Sequence, residues 1–340
     1  MPELSYDTKI VLRPDSEPAD VAAAINAELA RTGRVTVMIR VGEDLPDAVI
    51  GAAVEATSSS SEANLYVLGY RGDPDPATLT RFRSVQRLNL NVRSSTRFEF
   101  LSEFTALRSL TIQSSPARKL PLTFLAGMPR LTRLAIGASV RKTDALASCT
   151  ELESLHCSAT AGVLAALAGH PALRYLDVGF GSHRDLGVLA TIPTLCGVAV
   201  HRIVGLDGHD LEPLGACASL GALSLSSLKH VTHLEALTGH ATLRALLLEN
   251  LPNLQNLHGL AGCDKLQQLG LYESRPQDRS LEPLRELARL AHLVLGDPYP
   301  PHEIEQLRAW YQGSLRYRGT GPEEFKPRWR TPIEILDSGD

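Results

Sequence analysis

His230 and His233 lie three residues apart and could in principle share a metal ion. They flank the apolar series Leu228, Val231 and Leu234, so both rings are expected to point to solvent rather than converge on an ion. Asp207-Gly208-His209-Asp210 is polar enough for a site, but a tight turn selects the same residue types. Arg71-Gly72-Asp73 spells an integrin-binding tripeptide and is read as coincidence. The five cysteines show no CxxC or CxxH spacing, and HExxH, GxSxG, P-loop and GxGxxG patterns are absent. The expectation is therefore no catalytic residue, no metal, no cofactor and no enzyme activity.

The elements behind these residues follow a repeat. A pattern Leu-x-x-Leu-x-Leu starts at Val85, Leu107, Leu131, Leu152, Leu173, Leu195, Leu220, Leu243, Leu266 and Leu290, in steps of 21 to 25 residues. Numbering each copy from its first Leu, positions 4 and 6 alternate with 3 and 5, the period of a β-strand. Positions 4 and 6 then face a core, and positions 3, 5, 7 and 8 face outward. Pairs such as Leu186/Leu189, Leu211/Leu214, Leu234/Leu237, Leu257/Leu260 and Leu281/Leu284 predict a short helical or 3₁₀ turn in each return half. Cys149, Cys217 and Cys263 stand three residues before a repeat start, where other copies carry Phe104, Met128, Ile192 and Leu287. That slot is apolar, so these thiols are expected to be buried and reduced. His170 and His240 fall in the same slot and are expected to be partly buried with backbone partners.

This chain resembles the leucine-rich repeat family, in its short-repeat, internalin-like class. The resemblance implies an α/β fold: a right-handed solenoid with a concave parallel β-sheet, a βαβα N-terminal cap and a helical C-terminal cap. It implies a non-enzymatic protein that binds another protein on the concave sheet. One departure is evident. Most such repeats carry Asn or Cys at position 9, whereas this chain has Arg93, Ser115, Ser139, Thr160, Gly181, Ile203, Leu228, Leu251, Ser274 and Pro298 there. Turns that differ from copy to copy are expected.

Three segments follow. Residues 1–64 read as the βα cap, with strands at Lys9 to Leu12 and Val35 to Val41 and helices over Ala19 to Ala30 and Leu45 to Ala56, and the strand at Leu65 to Tyr70 that follows already fits the repeat motif. Residues 65–299 form the array. Residues 300–340 hold a helix over His302 to Gln312 and an Arg- and Pro-rich tail in which Phe325, Trp329 and Ile333 to Leu336 could dock.

Among outward positions, large side chains cluster at His156, Tyr175, Asp177, Phe180, His201 and Arg202, and aromatic and Arg residues are the usual interface anchors. Glu249, Tyr272 and Glu273 continue the strip with acidic character, and Arg87 and Arg133 begin it with basic character. Residues 81–141 hold eleven basic and two acidic side chains, +9, while residues 1–80 hold six basic and thirteen acidic, −7. The two blocks either steer a partner or neutralise each other. The alternative function is nucleic-acid or acidic-ligand binding through 81–141. Overall net charge is −4, which argues against wholesale nucleic-acid binding. No apolar run approaches the roughly 18 residues that span a membrane. The start of the chain has no secretory character, so a cytoplasmic location is expected, with an immunity or regulatory role in a bacterium as the narrower reading.

Overall fold

The computed structural model describes residues 9–58, 60–70, 72–93, 97–114, 119–296 and 299–317. The chain forms two compact units, Met1–Ser158 and Ala159–Asp340. The docking residues expected in the tail, together with Ser115, Pro298 and Arg71, lie outside the described residues.

In the first unit β1 (Lys9–Val11), β2 (Val35–Arg40), β3 (Ala63–Gly69), β4 (Arg87–Val92) and β5 (Ser109–Gln113) are joined in chain order, all parallel. A side pair, β6 (Leu120–Pro121) with β8 (Val140–Arg141), flanks β7 (Arg133–Ile136), which continues the sheet to β9 (Ser154–Ser158). The strands nearest the N-terminus are bridged by α1 (Pro18–Thr32) and α2 (Asp47–Ser58), which pack together. Pro18 suits the first turn of α1, and Gly33, at φ 73°, closes it by donating its N–H to the Leu29 carbonyl. The strand β3 pairs directly with the first repeat strand, β4. A one-turn helix, α3 (Pro76–Thr80), was not foreseen. Asp75 caps it by accepting from the N–H groups of Ala77 and Thr78, and the Thr78 hydroxyl and these N–H groups hold its carboxyl below the usual range.

In the second unit β10 (Tyr175–Gly181), β11 (Gly197–Ile203), β12 (Ala222–Ser226), β13 (Ala245–Glu249), β14 (Gln268–Tyr272) and β15 (His292–Leu295) pair in parallel, each residue opposite its counterpart in the next copy. The return halves carry α4 (Ala161–Ala166), α5 (Glu212–Gly215) and 3₁₀ turns at Gly187–Thr191, Glu235–Leu237, His258–Leu260 and Glu282–Glu286. The C-terminal helix α6 (Pro301–Arg308) is shorter than expected. Tyr311 lies past its end, buried, and reaches the Ser314 carbonyl at 3.3 Å. A further strand, β16 (Ser314–Tyr317), follows parallel to β15.

Positions 4 and 6, such as Leu176, Val198, Leu223, Leu246, Leu248 and Leu269, are buried against the return-half leucines. Positions 3, 5 and 7 therefore form the opposite, open face of each sheet. Strand entry is held by the backbone: the carbonyl at position 2 accepts two N–H groups from the next copy, as at Gln86, Arg108, Arg174, Cys196, Gly221, Arg244 and Gln267. That is why position 2 tolerates Gln, Arg, Cys and Gly alike.

Cys149, Cys217 and Cys263 are free and buried in the shared slot, and burial pushes the first two thiols up to about 11. His170 and His240 fill it too. The Nδ1 of His170 accepts from the Leu173 N–H at 3.2 Å, and His240 pairs Nδ1 with the Thr242 N–H and Nε2 with the Leu214 carbonyl. An acceptor at Nδ1 and a donor at Nε2 describe neutral imidazole, and burial lowers the His240 pKa accordingly. At position 9, Ile203, Leu228 and Leu251 are buried apolar residues, whereas Ser274 accepts from the Leu251 N–H and donates to the Tyr272 carbonyl.

Candidate partner-binding surface

The open face of the second unit gathers four of the residues singled out in the sequence. Asp177 on β10 and His201 on β11 meet with Oδ1 and Nε2 2.9 Å apart, the His ring 19% and the carboxylate 41% exposed. Phe180 stands edge-on to the His201 ring, with centroids 4.9 Å apart and planes at 86°. The Arg202 guanidinium lies 5.2 Å from the Phe180 centroid. Phe180 is 62% exposed, an uncommon setting for so large an apolar side chain.

Gly179 makes this cluster possible. The register sets it directly beside His201, and a Cβ there would fall on the imidazole ring. The ring thus lies over a bare backbone and is free to reach both Asp177 and Phe180. Gly179 is not singled out in the sequence analysis, and this seat is not foreseen there. A glycine beside an aromatic at the same position of the next copy was the available signal, and Gly296 beside Tyr272 repeats it.

A second feature is conformational. Position 8 is left-handed in five successive copies, at Phe180, Arg202, Ser227, Asn250 and Glu273, with φ of 47° to 55°. Only Asn among these tolerates that region readily. β12, β13 and β14 stop just before this position, β10 and β11 run one residue past it, and Phe180, Arg202 and Glu273 are turned out to solvent.

The other expected site residues are placed as follows. Tyr175 does face outward, but it is only 6% exposed, beside Gly197 and with the Arg174 guanidinium 5.4 Å from its ring. As an exposed anchor it is corrected: alternation told which face it occupies, not that its neighbours cover it. Glu249 is exposed and accepts from the Ser226 hydroxyl at 3.2 Å. Tyr272 is half-buried and Glu273 exposed. His156 on β9 and Arg87 and Arg133 on β4 and β7 belong to the first unit.

In the first unit the basic segment is partly neutralised by carboxylates that precede it in the chain. Arg81 pairs with Asp47 at 2.7 Å, Arg87 with Glu62 at 2.7 Å, and Arg97 lies 3.9 Å from Asp73. Tyr70, 67% exposed under the Arg93 guanidinium at 5.5 Å, is an outward aromatic the sequence reading did not single out.

Away from the open face, His233 contacts Glu235 at 2.6 Å and stands edge-on to His209, while His230 is exposed. Asp207 and Asp210 spend their carboxylates on the turn's own N–H groups and on Arg184, 3.9 and 3.6 Å away.

No family model matches this chain, and no curated protein does. Solved structures match in fold. An internalin (inlF) of Listeria monocytogenes is 18% identical over 83% of this chain and 95% of its own, with a TM-score of 0.51. The Toll–Spatzle complex of Drosophila aligns at 14% identity over 92% of this chain and 51% of that one, with a TM-score of 0.53. The parallel sheet, the repeat register and these likenesses define the leucine-rich repeat solenoid fold. No described helix is long and apolar enough to cross a membrane.

Proposed function

We propose that this chain is a non-enzymatic binding protein that docks another protein on the open face of its second unit, anchored by Phe180. The observation that carries the reading is Phe180 itself: a large apolar side chain turned to solvent from a strained backbone, yet held in one place by His201 and Arg202. Ordering an anchor before the partner arrives lowers the cost of association. The acidic strip at Glu249 and Glu273 and the cation of Arg202 supply a polar surround. The Toll–Spatzle complex shows the same fold holding a protein. Arg81 and Arg87 are paired with cap carboxylates and Arg97 with Asp73, which favours this reading over nucleic-acid binding through 81–141.

Full-length protein, wild type and Phe180→Ser, is used to capture partners from the source cells, with mass spectrometry of what is retained. A partner held by wild type and lost by Phe180→Ser, with circular dichroism unchanged, supports the reading. A partner held equally by both refutes it. Within this reading the narrower role is that of an intracellular bacterial immunity or regulatory protein, tested by rescue of growth when the chain is co-expressed with a toxic captured partner. The five free thiols suit a reducing compartment.

A further inference from the structure

We propose that the open face of the first unit is a second binding site, and that it takes an extended polypeptide segment bearing a carboxylate side chain. The inference rests on Asn89. Its neighbours along β4, Leu88 and Leu90, are buried in the core, so its amide is directed to the open face. There it is 7% exposed, and its Oδ1 has no hydrogen-bond partner. A buried amide in that state destabilises a fold, and such groups are few in native proteins.

The surroundings say what would satisfy it. The register sets Tyr66 on one side and Thr111 on the other. The Tyr66 hydroxyl accepts from the Asn91 amide at 3.1 Å, and Lys9 Nζ lies 4.1 Å from the Tyr66 ring centroid, so these groups are already engaged. Of Tyr66, Asn89 and Thr111, Asn89 is the one whose buried side-chain acceptor has no partner among the described residues. A carboxamide is matched by a peptide group, which presents one N–H and one C=O side by side.

Arg133 supplies the second contact. It lies two strands from β4 on the same face, about 10 Å away at the usual strand spacing. It is exposed and has no ion-pair partner among the described residues. An extended chain advances about 3.4 Å per residue, so an Asp or Glu about three residues from the peptide group on Asn89 reaches Arg133. The charge agrees, because residues 81–141 carry eleven cations against two acids. A nucleic acid fits less well, since Tyr66, the ring beside Asn89, is buried and presents no platform for a base. This site shares with the proposed function only the premise that an open face meets a polypeptide; its unit, residues and test are separate.

An array of blocked peptides of about nine residues, long enough to cross the face, tests it. Glu is placed at each position in turn in a Gly/Ser/Thr background, with matched Gln and Lys sets. Full-length wild type, Asn89→Leu, Arg133→Gln and Phe180→Ser are compared on the array, alongside a single-stranded RNA oligonucleotide. Glu-dependent binding that weakens about tenfold or more in Asn89→Leu and Arg133→Gln, and is unchanged in Phe180→Ser, supports the site. Asn89→Leu should also raise the urea midpoint, since it removes an amide with no partner, and Arg133→Gln should leave it unmoved. Absence of Glu-dependent binding, equal binding by all variants, a lowered midpoint in Asn89→Leu, or RNA binding lost in the same two variants each overturns it. Peptide binding that survives in Phe180→Ser while the captured protein partner is lost separates the two readings.

Discussion

Gly179→Ala should unseat His201, and its energetic sign should depend on whether His201 is present. In the wild type the new methyl group occupies the space of the imidazole. Displacing the ring forfeits the edge-to-face contact with Phe180, worth about 0.5–1.5 kcal/mol. It also forfeits the half-exposed contact with Asp177, worth about 0.2–1 kcal/mol once solvent screening is allowed for. Against this, Ala restricts the unfolded chain relative to Gly by about 0.4–1 kcal/mol, and Gly179 does not adopt positive φ. The net expectation is destabilisation of about 1 kcal/mol. In a His201→Ala background the imidazole no longer fills the seat, so the same change should stabilise by about 0.5 kcal/mol. Urea unfolding of the four proteins in this double-mutant cycle reads the coupling directly. An Ala at position 179 that shifts stability by the same amount in both backgrounds would mean that Gly179 does not seat His201.

Glu273→Asn should raise stability by about 0.5–1 kcal/mol, because Asn relieves the left-handed backbone at φ 47° and Glu273 is exposed; a fall in the urea midpoint would count against strain there. His240 is held neutral by burial, so its folded pKa lies below its unfolded value near 6.5. The unfolded chain then binds the extra proton first, and this contribution to stability is present above about pH 6.5 and is lost as the pH falls below it. His240→Leu, which the slot accommodates at Leu287, should flatten the stability profile between about pH 7.5 and 5.5, and an unchanged slope would refute the assignment. Iodoacetamide at neutral pH should modify the native chain chiefly at Cys196, the half-buried thiol, and reach the buried Cys149, Cys157, Cys217 and Cys263 only after unfolding; peptide mapping distinguishes the two patterns.

The core was legible because each buried Leu recurs at fixed spacing, and both the strand and return-half leucines are found where the period set them. The cysteine slot was legible for the same reason: several copies show what its neighbours tolerate. Features outside the period were not. The helix α3 depends on one capping carboxylate, Asp75, and β16 lies beyond the last repeat. The burial of Tyr175 follows from which residues flank it across strands, information that a single copy does not contain. The pairing of Arg87 with Glu62 and of Arg81 with Asp47 joins residues 25 and 34 positions apart, which only the folded register brings together. Asp177, Phe180, His201 and Arg202 were readable as outward side chains. Their convergence was not, because it depends on the absence of a Cβ at Gly179.

The aliphatic column at Ile203, Leu228 and Leu251 has a thermal consequence. A ladder of side-chain amides would close these turns largely through enthalpy. Here they close through the removal of apolar surface from water, and that drive is entropic near room temperature and fades on cooling. Ser274 donates to the Tyr272 carbonyl in its own turn and accepts from the Leu251 N–H one copy earlier, so these two turns are also tied by hydrogen bonds. The turns of this stretch should therefore loosen unevenly as the temperature falls, the Ile203 and Leu228 copies before those of Leu251 and Ser274, and amide hydrogen exchange near 0 °C should show a local cold lability that a heat scan would never expose.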